Sequence, residues 1–493
     1  MKFIDDILNR ITMYRLVLYY LIALVLAAFV LSFFNLLPYD PAALAFSSVL
    51  ITLVCMVTNW VFAKVFNAAT NIESVYITAL ILVLIISPVL AANRIGVGFL
   101  VFASVWAMAS KYIFAIGKKH IFNPAAFAVA LTALAINQPA TWWIGGNVWL
   151  APLVILGGLL IVRKIQRFDL VLTFMFVGLA TTFATAPSAD YATLFMQTLF
   201  HSSFFFLAFV MLTEPLTTPP NRMLRIGYGA FVGFLFAPNI HIGTFYMTPE
   251  LALLIGNAAS YLVSPRGRYM LTLSHVEEVA RDAYDFVFMP DRRFNFSPGQ
   301  YMEWTLGHRY PDNRGNRRYF TLASSPTAKE VRLGVKFYEP ASTFKRALAA
   351  MKPGSTLSVS HLSGGFVLPN DTKKKLVFMA GGIGITPFRS MIEYLLDTKG
   401  KRNIVLLYSN KSAADIAYKP LFDRAQAELG IRVVYVTDKL IDAALIKEHV
   451  PDYKERTFYI SGPHGMVDAF KGVLRNMGIS FLKIKNDFFP GFA

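Results

Sequence analysis

Cysteine is almost absent. The single thiol, Cys55, can form no intrachain disulfide and cannot supply the four thiolates of an iron–sulfur cluster. Histidine is scarce too, with 8 in 493 residues, and only His201 falls inside a long apolar stretch, while His120 and His241 fall between stretches. A transmembrane two-haem path needs paired axial histidines on facing helices, so that class of electron carrier is excluded. Charge is the third scarcity. Residues 1–268 hold 15 Lys/Arg and 8 Asp/Glu, against 32 and 22 in the rest of the chain. The interiors of the apolar stretches have almost no ionisable groups, which argues against a self-sufficient ion pump. The net charge of +17 comes without a nucleic-acid recognition motif or basic stripe, so loop cations, not a nucleic-acid partner, account for it.

What is present is apolar length. Spanning a bilayer takes roughly 20 apolar residues, because every backbone polar group must be satisfied within the segment. Ten candidate spans lie near 14–36, 42–63, 75–92, 95–115, 121–137, 148–162, 168–186, 193–212, 224–238 and 248–264. The first has neither the flanks nor the cleavage site of a signal peptide. With a cytoplasmic N-terminus, fourteen cations fall on the cytoplasmic side: Lys2, Arg10, Arg15, Lys64, Lys111, Lys118, Lys119, Arg163, Lys164, Arg167, Arg222, Arg225, Arg266 and Arg268. Arg94 alone falls opposite. This asymmetry predicts a multi-pass protein of the inner (plasma) membrane, with both termini and everything after residue 268 in the cytoplasm. Lys111 is expected to snorkel. Glu73 and Glu214, at span ends, are expected to be solvated or capping, and Trp142 and Trp143 suit an interfacial aromatic belt better than a flavin stack.

Four segments occur in a telling order: SVYITALILVLIISP from Ser74, HIFNPAAFAVALTAL from His120, LAPLVILGGLLIVRKI from Leu150, and MLTEPLTTPPNRMLRIGYGAFVGFLF from Met211. Together they resemble the D-type membrane subunit of the Rnf electron-transport complex and its relative, the B-type membrane subunit of the sodium-pumping NADH:quinone reductase. The resemblance covers about residues 10–265 and implies ten spans. For Asn123 and Pro124 two readings stand, a place beside a cofactor or the chemistry of a helix start. Members of that family often carry FMN esterified to a threonine in a Ser-Gly-Ala-Thr motif. Here the corresponding loop reads NQPATWWIGGN; Thr141 keeps the Ala-Thr pair and the Ser-Gly is missing. The resemblance implies a second flavin, FMN, in the membrane half, and the departure at Thr141 weighs against covalent attachment.

After Arg268 the texture changes. LTLSHVEEV, YDFVFMP, YMEWTL, RYFTLAS and VRLGVKFY are short strands with turn signals between them, which suggests a small antiparallel β-barrel. From Lys375, LVFMA, NIVLLYS, RVVYVT and TFYISG alternate with helical stretches, which predicts a parallel doubly wound α/β sheet. The expected domains are a membrane domain over 1–265, an FAD-binding barrel over 269–370 and an NAD(P)-binding α/β domain over 371–493.

The chemistry-bearing residues fall into both soluble domains. Arg318-Tyr319-Phe320-Thr321 offers a cation for a pyrophosphate, flat rings and a hydroxyl. Alternation puts Arg318 and Phe320 on one face and Tyr319 and Thr321 on the other. Either aromatic suits an isoalloxazine, with Thr321 toward its N5 edge. Pro298-Gly299-Gln300-Tyr301 lies just upstream, and Ala341-Ser342-Thr343-Phe344 offers backbone amides for phosphate. Gly381-Gly382-Ile383-Gly384-Ile385-Thr386-Pro387 stands between a predicted strand and helix, where glycines admit a diphosphate and free amides attract it. Ser461-Gly462-Pro463, with Met466 after it, ends a strand where a nicotinamide would lie, and His464 is expected to be a loop residue.

PGQY, RYFT, GGIGITP and SGP occur in the order and spacing of the ferredoxin–NADP reductase superfamily, which residues 268–493 resemble. That resemblance implies FAD held by Arg318, Phe320 and Thr321 with Tyr319 adjacent, and NAD(P)H held by Gly382, Gly384 and Thr386. It also implies that Phe320 stands at the family's tyrosine, that Ser461 replaces a common cysteine, and that Asp487 and Phe488 of the tail lie near the flavin. Thr321, Phe320 and Ser461 are the expected catalytic residues, and no metal is expected. The function implied is a membrane flavoprotein that passes electrons from cytosolic NAD(P)H through FAD to a quinone or flavin acceptor in or across the membrane, with further electron-transport subunits as partners. Two alternatives stay open: a membrane-anchored reductase with a cytosolic acceptor, and a redox-driven ion-translocating subunit. Tyr408-Ser409-Asn410-Lys411 lacks an arginine pair for a 2′-phosphate, which leans toward NADH.

Overall fold

Short polar residues open the apolar helices of the first half. The side chains of Thr12, Asp40, Asn93, Asn123, Asp190, Asn221 and Thr248 each accept a backbone N–H from the helical turn that follows. Each such cap satisfies a donor that apolar surroundings would strand, at about 1 kcal/mol. The computed structural model describes residues 8, 11–66, 72–116, 119–186, 190–264, 268–309, 312, 315–437 and 439–487. Lys2, Arg10, Lys118 and Arg266 of the charge pattern lie outside these. The chain divides into two compact units, Met1–Gly267 and Arg268–Ala493.

In the first unit each of the ten expected segments contains a helix: Met13–Phe33, Pro41–Val65, Ile72–Ile85, Arg94–Ile113, Pro124–Ile136, Ala151–Ile165, Phe168–Ala184, the bent pair Tyr191–Phe200 and Phe204–Met211, Arg222–Phe236 and Pro249–Val263. Met13–Phe33, Pro41–Val65 and Arg94–Ile113 are long and apolar enough to cross a membrane, and the bent pair brings the number to four if it forms one span. The other helices run 13 to 17 residues. At about 1.5 Å per residue they fall short of a core roughly 30 Å thick. The expectation of ten full-length helical spans is corrected to that extent. In the segment 75–92 the reason is local: the helix stops at Ile85, just before Ser87 and Pro88.

The backbone freed there is taken up by a neighbouring loop. Thr141 and Trp142 both donate their N–H to the Ile85 carbonyl, at 3.0 and 2.9 Å, and Ile144 donates to that of Leu84 at 3.2 Å. Trp142 and Trp143 therefore do not form an interfacial belt. Each is only 6% exposed; the Trp142 indole donates to Glu250 Oε2 at 3.0 Å, and that of Trp143 to the Val83 and Ile86 carbonyls, both at 3.0 Å. An indole N–H drawn into an apolar layer has to find such an acceptor.

The helices Phe168–Ala184 and Arg222–Phe236 come nearly into backbone contact. A Cβ added to Gly229 would stand 2.6 Å from the Leu170 carbonyl oxygen, and one on Gly233 2.6 Å from that of Phe174. Such close approach lets dispersion hold the two helices together, and Arg225 adds an ion pair to Asp169 at 2.8 Å.

In the second unit six antiparallel strands form one sheet: β1 (Tyr269–Ala280), β2 (Ala283–Pro290), β3 (Tyr301–Thr305), β4 (Arg317–Thr321), β5 (Val331–Lys336) and β6 (Thr356–Ser363), in the order β4-β3-β6-β1-β2-β5. Its apolar face packs Trp304, Phe286, Phe288, Leu333 and Phe344 together. The expected barrel is not closed by a ladder. One backbone bond, Ala323 N–H to the Arg332 carbonyl at 2.9 Å, joins β5 to the residues just past β4. Beyond it lies a parallel sheet of β7 (Leu376–Gly381), β8 (Ile404–Asn410), β9 (Arg432–Thr437), β10 (Thr457–Ser461) and β11 (Ile484–Asn486), in the order β9-β8-β7-β10-β11. Its central strands β7, β8 and β10 are apolar on both faces because both are covered. Phe378, Tyr408 and Tyr459 belong to one core; Val377, Leu407, Phe458 and Ile460 belong to the other.

The glycine contact in the first unit is testable. Gly233→Val should destabilise the detergent-solubilised chain by about 1–3 kcal/mol, the cost of overpacking. An unchanged thermal midpoint would show that these two helices are not in close contact.

Candidate functional site

The strand order of the parallel sheet reverses between β7 and β10, and the crevice at the carboxyl ends of such strands is where α/β sheets take nucleotides. Both expected motifs reach it. Gly381 ends β7, and Gly382–Ile385 form a tight turn with Gly382 at φ +51°, after which Thr386 and Pro387 start the helix Thr386–Thr398. Ser461 ends β10, followed by Gly462 and Pro463. The two turns almost touch: a Cβ on Gly384 would stand 2.4 Å from Gly462 Cα. Met466 fills the angle between them, its Cε 1.7 Å from where a Gly381 Cβ would be and 2.3 Å from one on Gly462. Any side chain at these glycines would fill the crevice. At its edge Ser461 Oγ donates to Asp487 Oδ2 at 3.3 Å, and Asp487 N–H donates to the Ile460 carbonyl at 2.9 Å. Phe488 lies outside the described residues.

The flavin motif sits on β3 and β4. Tyr301 pairs with Thr321, Met302 with Phe320, Glu303 with Tyr319 and Trp304 with Arg318. Arg318 and Phe320 thus share a face with the core residues Met302 and Trp304, and both meet the Phe344 ring, at 5.2 and 5.9 Å. Tyr319 and Thr321 share the opposite face; Tyr319 packs edge-on against Tyr301 at 5.7 Å and donates its hydroxyl to Glu303 Oε2 at 2.9 Å. Gln300 accepts the Ser297 N–H at 2.7 Å and so braces the turn in which Gly299 takes φ +95°. A Cβ on Gly299 would stand 2.2 Å from the Phe366 carbonyl oxygen, so glycine is required there by both space and backbone. Ser342 caps the helix Thr343–Ala349 by accepting the Lys345 N–H at 3.3 Å. Thr343 and Arg318 meet at one carboxylate, that of Asp312, which accepts from Thr343 N–H at 3.1 Å and from Arg318 Nη2 at 3.3 Å. This donor set thus holds an anionic group.

Several residues that position the site carry weak sequence signals. Arg389 donates to the Ala323 carbonyl at 2.6 Å and to Glu393 Oε2 at 2.7 Å, while Glu393 accepts the Ser325 N–H at 2.8 Å. Ser390 Oγ donates to the Ser324 carbonyl at 2.7 Å. The helix that begins at the glycine turn thus grips the segment leaving β4. The i,i+4 spacing of Arg389 and Glu393 could have been read as a pair, but nothing in it points across to Ser325. Glu303 is buried at 3% exposure. Burial alone would push its carboxyl up; His361, Arg317 and Tyr319 outweigh that and hold it down at about 2.

In the first unit the two motifs of the Rnf-like resemblance come together. Asn123 Nδ2 donates to Glu214 Oε2 at 2.9 Å, His120 lies 3.1 Å from Glu214 Oε1, and Asn123 N–H donates to Asn257 Oδ1 at 2.8 Å. Glu214 is therefore a partnered, part-buried acid, which corrects the expectation of a solvated or capping one; Glu73 instead pairs with Arg15 at 2.8 Å. Thr141 remains exposed, accepting from Ser87 Oγ at 3.1 Å.

Two measurements follow from these contacts. Arg389→Ala removes one partner of a buried pair and should cost about 3 kcal/mol in the urea unfolding of the second unit; a cost within error of zero would mean that the helix is held by other contacts. Glu303, with its folded pKa depressed, contributes stability that is full above about 4.5 and is lost as pH falls toward about 2. Glu303→Gln should therefore flatten the acid limb of stability in that window, and an unaltered limb would assign it to other carboxylates.

Comparison with known proteins fits the geometry of the second unit. The oxidoreductase NAD-binding domain family model matches residues 378–472. The chain is 30% identical over 196 residues to an NADPH oxidoreductase of Mycobacterium tuberculosis, covering 38% of this chain and 50% of that protein. It is 28% identical over 221 residues to a flavohemoprotein of Oceanobacillus iheyensis, covering 41% and 54%. The flavohem-like FAD/NAD-binding domain of nitric oxide dioxygenase from Vibrio cholerae aligns with 45% of this chain and 98% of that one, at 19% identity and a TM-score of 0.40. The chain spans about half the length of these two sequence relatives. Its C-terminal half is a ferredoxin–NADP reductase-type FAD/NAD-binding oxidoreductase domain.

Proposed function

We propose that the chain is a membrane-embedded NAD(P)H reductase whose 269–370 domain holds FAD, whose 371–493 domain receives the nicotinamide nucleotide, and whose 1–265 domain leads electrons to a quinone or flavin acceptor in or across the membrane. The observation that carries this reading is the crevice between Gly381–Gly384 and Gly462–Pro463, tied by Arg389 and Glu393 to the segment that leaves the strand bearing Arg318, Phe320 and Thr321. Bound FAD would supply hydride acceptance and the release of electrons singly. Arg318 and Thr343 would bind its diphosphate, Phe320 would lie against its rings with Tyr319 adjacent, and Thr321 would offer a hydroxyl beside them. Gly382, Gly384 and Thr386 would hold the dinucleotide, with Ser461, Gly462 and Pro463 beside its nicotinamide and Asp487 orienting the serine. Asn410 and Lys411 at the end of β8 favour NADH over NADPH, because no arginine fork stands there for a 2′-phosphate.

Ten traversals of the membrane, some of them by short helices completed with non-helical backbone, are supported by where the polar contacts fall. Arg15–Glu73, Arg225–Asp169 and His120–Glu214 join segments expected on the cytoplasmic side. Trp142–Glu250, Ser87–Thr141 and Asn239–Thr185 join segments expected on the other. One observation favours the alternative of a membrane anchor with a cytosolic acceptor: the loop that would carry FMN lacks the Ser-Gly before Thr141.

Full-length protein in liposomes separates these readings. With NADH as donor, stoichiometric quinone reduction together with a second flavin per chain supports electron passage through the first unit. One flavin, with electrons appearing only on soluble acceptors, would leave the first unit an anchor. Gly384→Val should lower NADH oxidation on the order of hundredfold at unchanged FAD content, since the added side chain fills the crevice. Full activity in that variant would remove the nucleotide from this site.

A further inference from the structure

Asp312 lies between β3 and β4 and is already bound by two donors assigned above to the flavin diphosphate. Its Oδ1 accepts from Arg318 Nη2 at 3.3 Å and its Oδ2 from Thr343 N–H at 3.1 Å. Its own N–H donates to Thr343 Oγ1 at 3.0 Å, an oxygen that also stands 3.1 Å from His308 Nε2. Arg318 is only 8% exposed, and its other terminal nitrogen donates to the Gly315 and Arg317 carbonyls at 3.1 and 2.7 Å. The Asp312 carboxylate therefore takes Nη2, a terminal nitrogen distinct from the one those carbonyls occupy. Carboxylate and phosphate oxygens compete for the same guanidinium N–H and amide, because both are charged acceptors of similar reach.

We infer that Asp312 is an internal anion that competes with the flavin's diphosphate for Arg318 and Thr343, and so sets how firmly the site retains FAD. The inference rests on the assignment of those two donors to the diphosphate. Charge decides the direction of the exchange. A diphosphate brings about two negative charges against one, so it displaces Asp312 at saturation, whereas Asp312 holds the donors when FAD is scarce. The Asp312 side chain is 28% exposed, so the displaced carboxylate passes into water without a large desolvation cost. The site is thus built to exchange its flavin.

The test titrates FAD into full-length protein, stripped of flavin and held in detergent, with quenching of flavin fluorescence as the readout. Asp312→Asn keeps the shape and removes the competing charge; it should tighten FAD binding on the order of tenfold, mainly through slower release. Riboflavin, which has no phosphate, should bind both proteins alike. Asp312→Ser should shift FAD binding in the same direction, and thermal unfolding without FAD checks that either variant folds. Unchanged FAD affinity, or weaker binding, overturns the inference; the second result would make Asp312 a positioning residue that aims Arg318 at the ligand. Arg318→Gln tests the underlying assignment separately. If it leaves FAD affinity intact, the donors themselves are misassigned, whatever Asp312 does.

Discussion

The crevice depends on one buried guanidinium. Arg389 stands at the start of the helix that follows the glycine turn, and it reaches across to the carbonyl of Ala323, just past the end of β4. Ala323 is the same residue whose N–H bonds the Arg332 carbonyl and brings the edges of the open sheet together. The residue that joins the sheet edges is thus also the residue on which the helix after the glycine turn docks. Glu393 makes the arrangement self-consistent: it neutralises Arg389 and accepts the Ser325 N–H. A buried charge is tolerated only when paired and hydrogen-bonded, and here the pairing specifies where the glycine turn lies relative to Arg318 and Thr321.

A second set of charges holds the same junction from the other side. Asp285, fully buried on β2, accepts from the Tyr418 hydroxyl and from Arg332 at 3.4 Å. Burial pushes its carboxyl above the ordinary range despite the cations of Arg389 and Arg332 and the Tyr418 hydroxyl. Asp415 moves the opposite way, held well below the usual carboxylate range by Lys336, Ser412 and Arg281. Gly334 lies between, with Thr386 Cγ2 and the Tyr418 hydroxyl each 2.6 Å from where its Cβ would be. The charged groups are therefore structural first: they fix the distance between two sheets whose apolar cores are separate, a task that non-directional hydrophobic contact performs poorly.

Much of this was legible in the sequence, and what was missed shares a physical cause. Strand existence and type could be read because β5 alternates and β7 is apolar throughout, which are periodicities of the chain itself. The glycine turns could be read because their backbone demands are local. Asp312, Glu303 and the Arg389–Glu393 pair could not be placed, because their partners are set by register and by how one element docks on another. Phe320 shows the intermediate case. Alternation correctly put it on the face of Arg318, but the sequence could not say that this face is also that of Met302 and Trp304.

The same division explains the first unit. Hydropathy placed a helix in each of the ten segments but overestimated several lengths, because apolar composition continues through backbone that is no longer helical. Pro88 with Ser87 ends one helix, and the loop through Thr141 and Trp142 supplies the donors that the Ile85 carbonyl would otherwise lack. In an apolar interior such a break needs a partner segment, so two irregular stretches must be built together. The tryptophans follow from that: a loop that enters the helical layer carries its aromatics inward, and Glu250 is present to accept the indole N–H. FNPAA and TEPLTTPP meet for a similar reason. Asn123 caps its own helix with one side-chain atom and binds Glu214 with the other, so an acid at a helix end is stabilised by an amide from a second helix instead of by solvent. Motifs far apart in the chain are in this sense single structural units, each completing hydrogen bonds that the other cannot make alone.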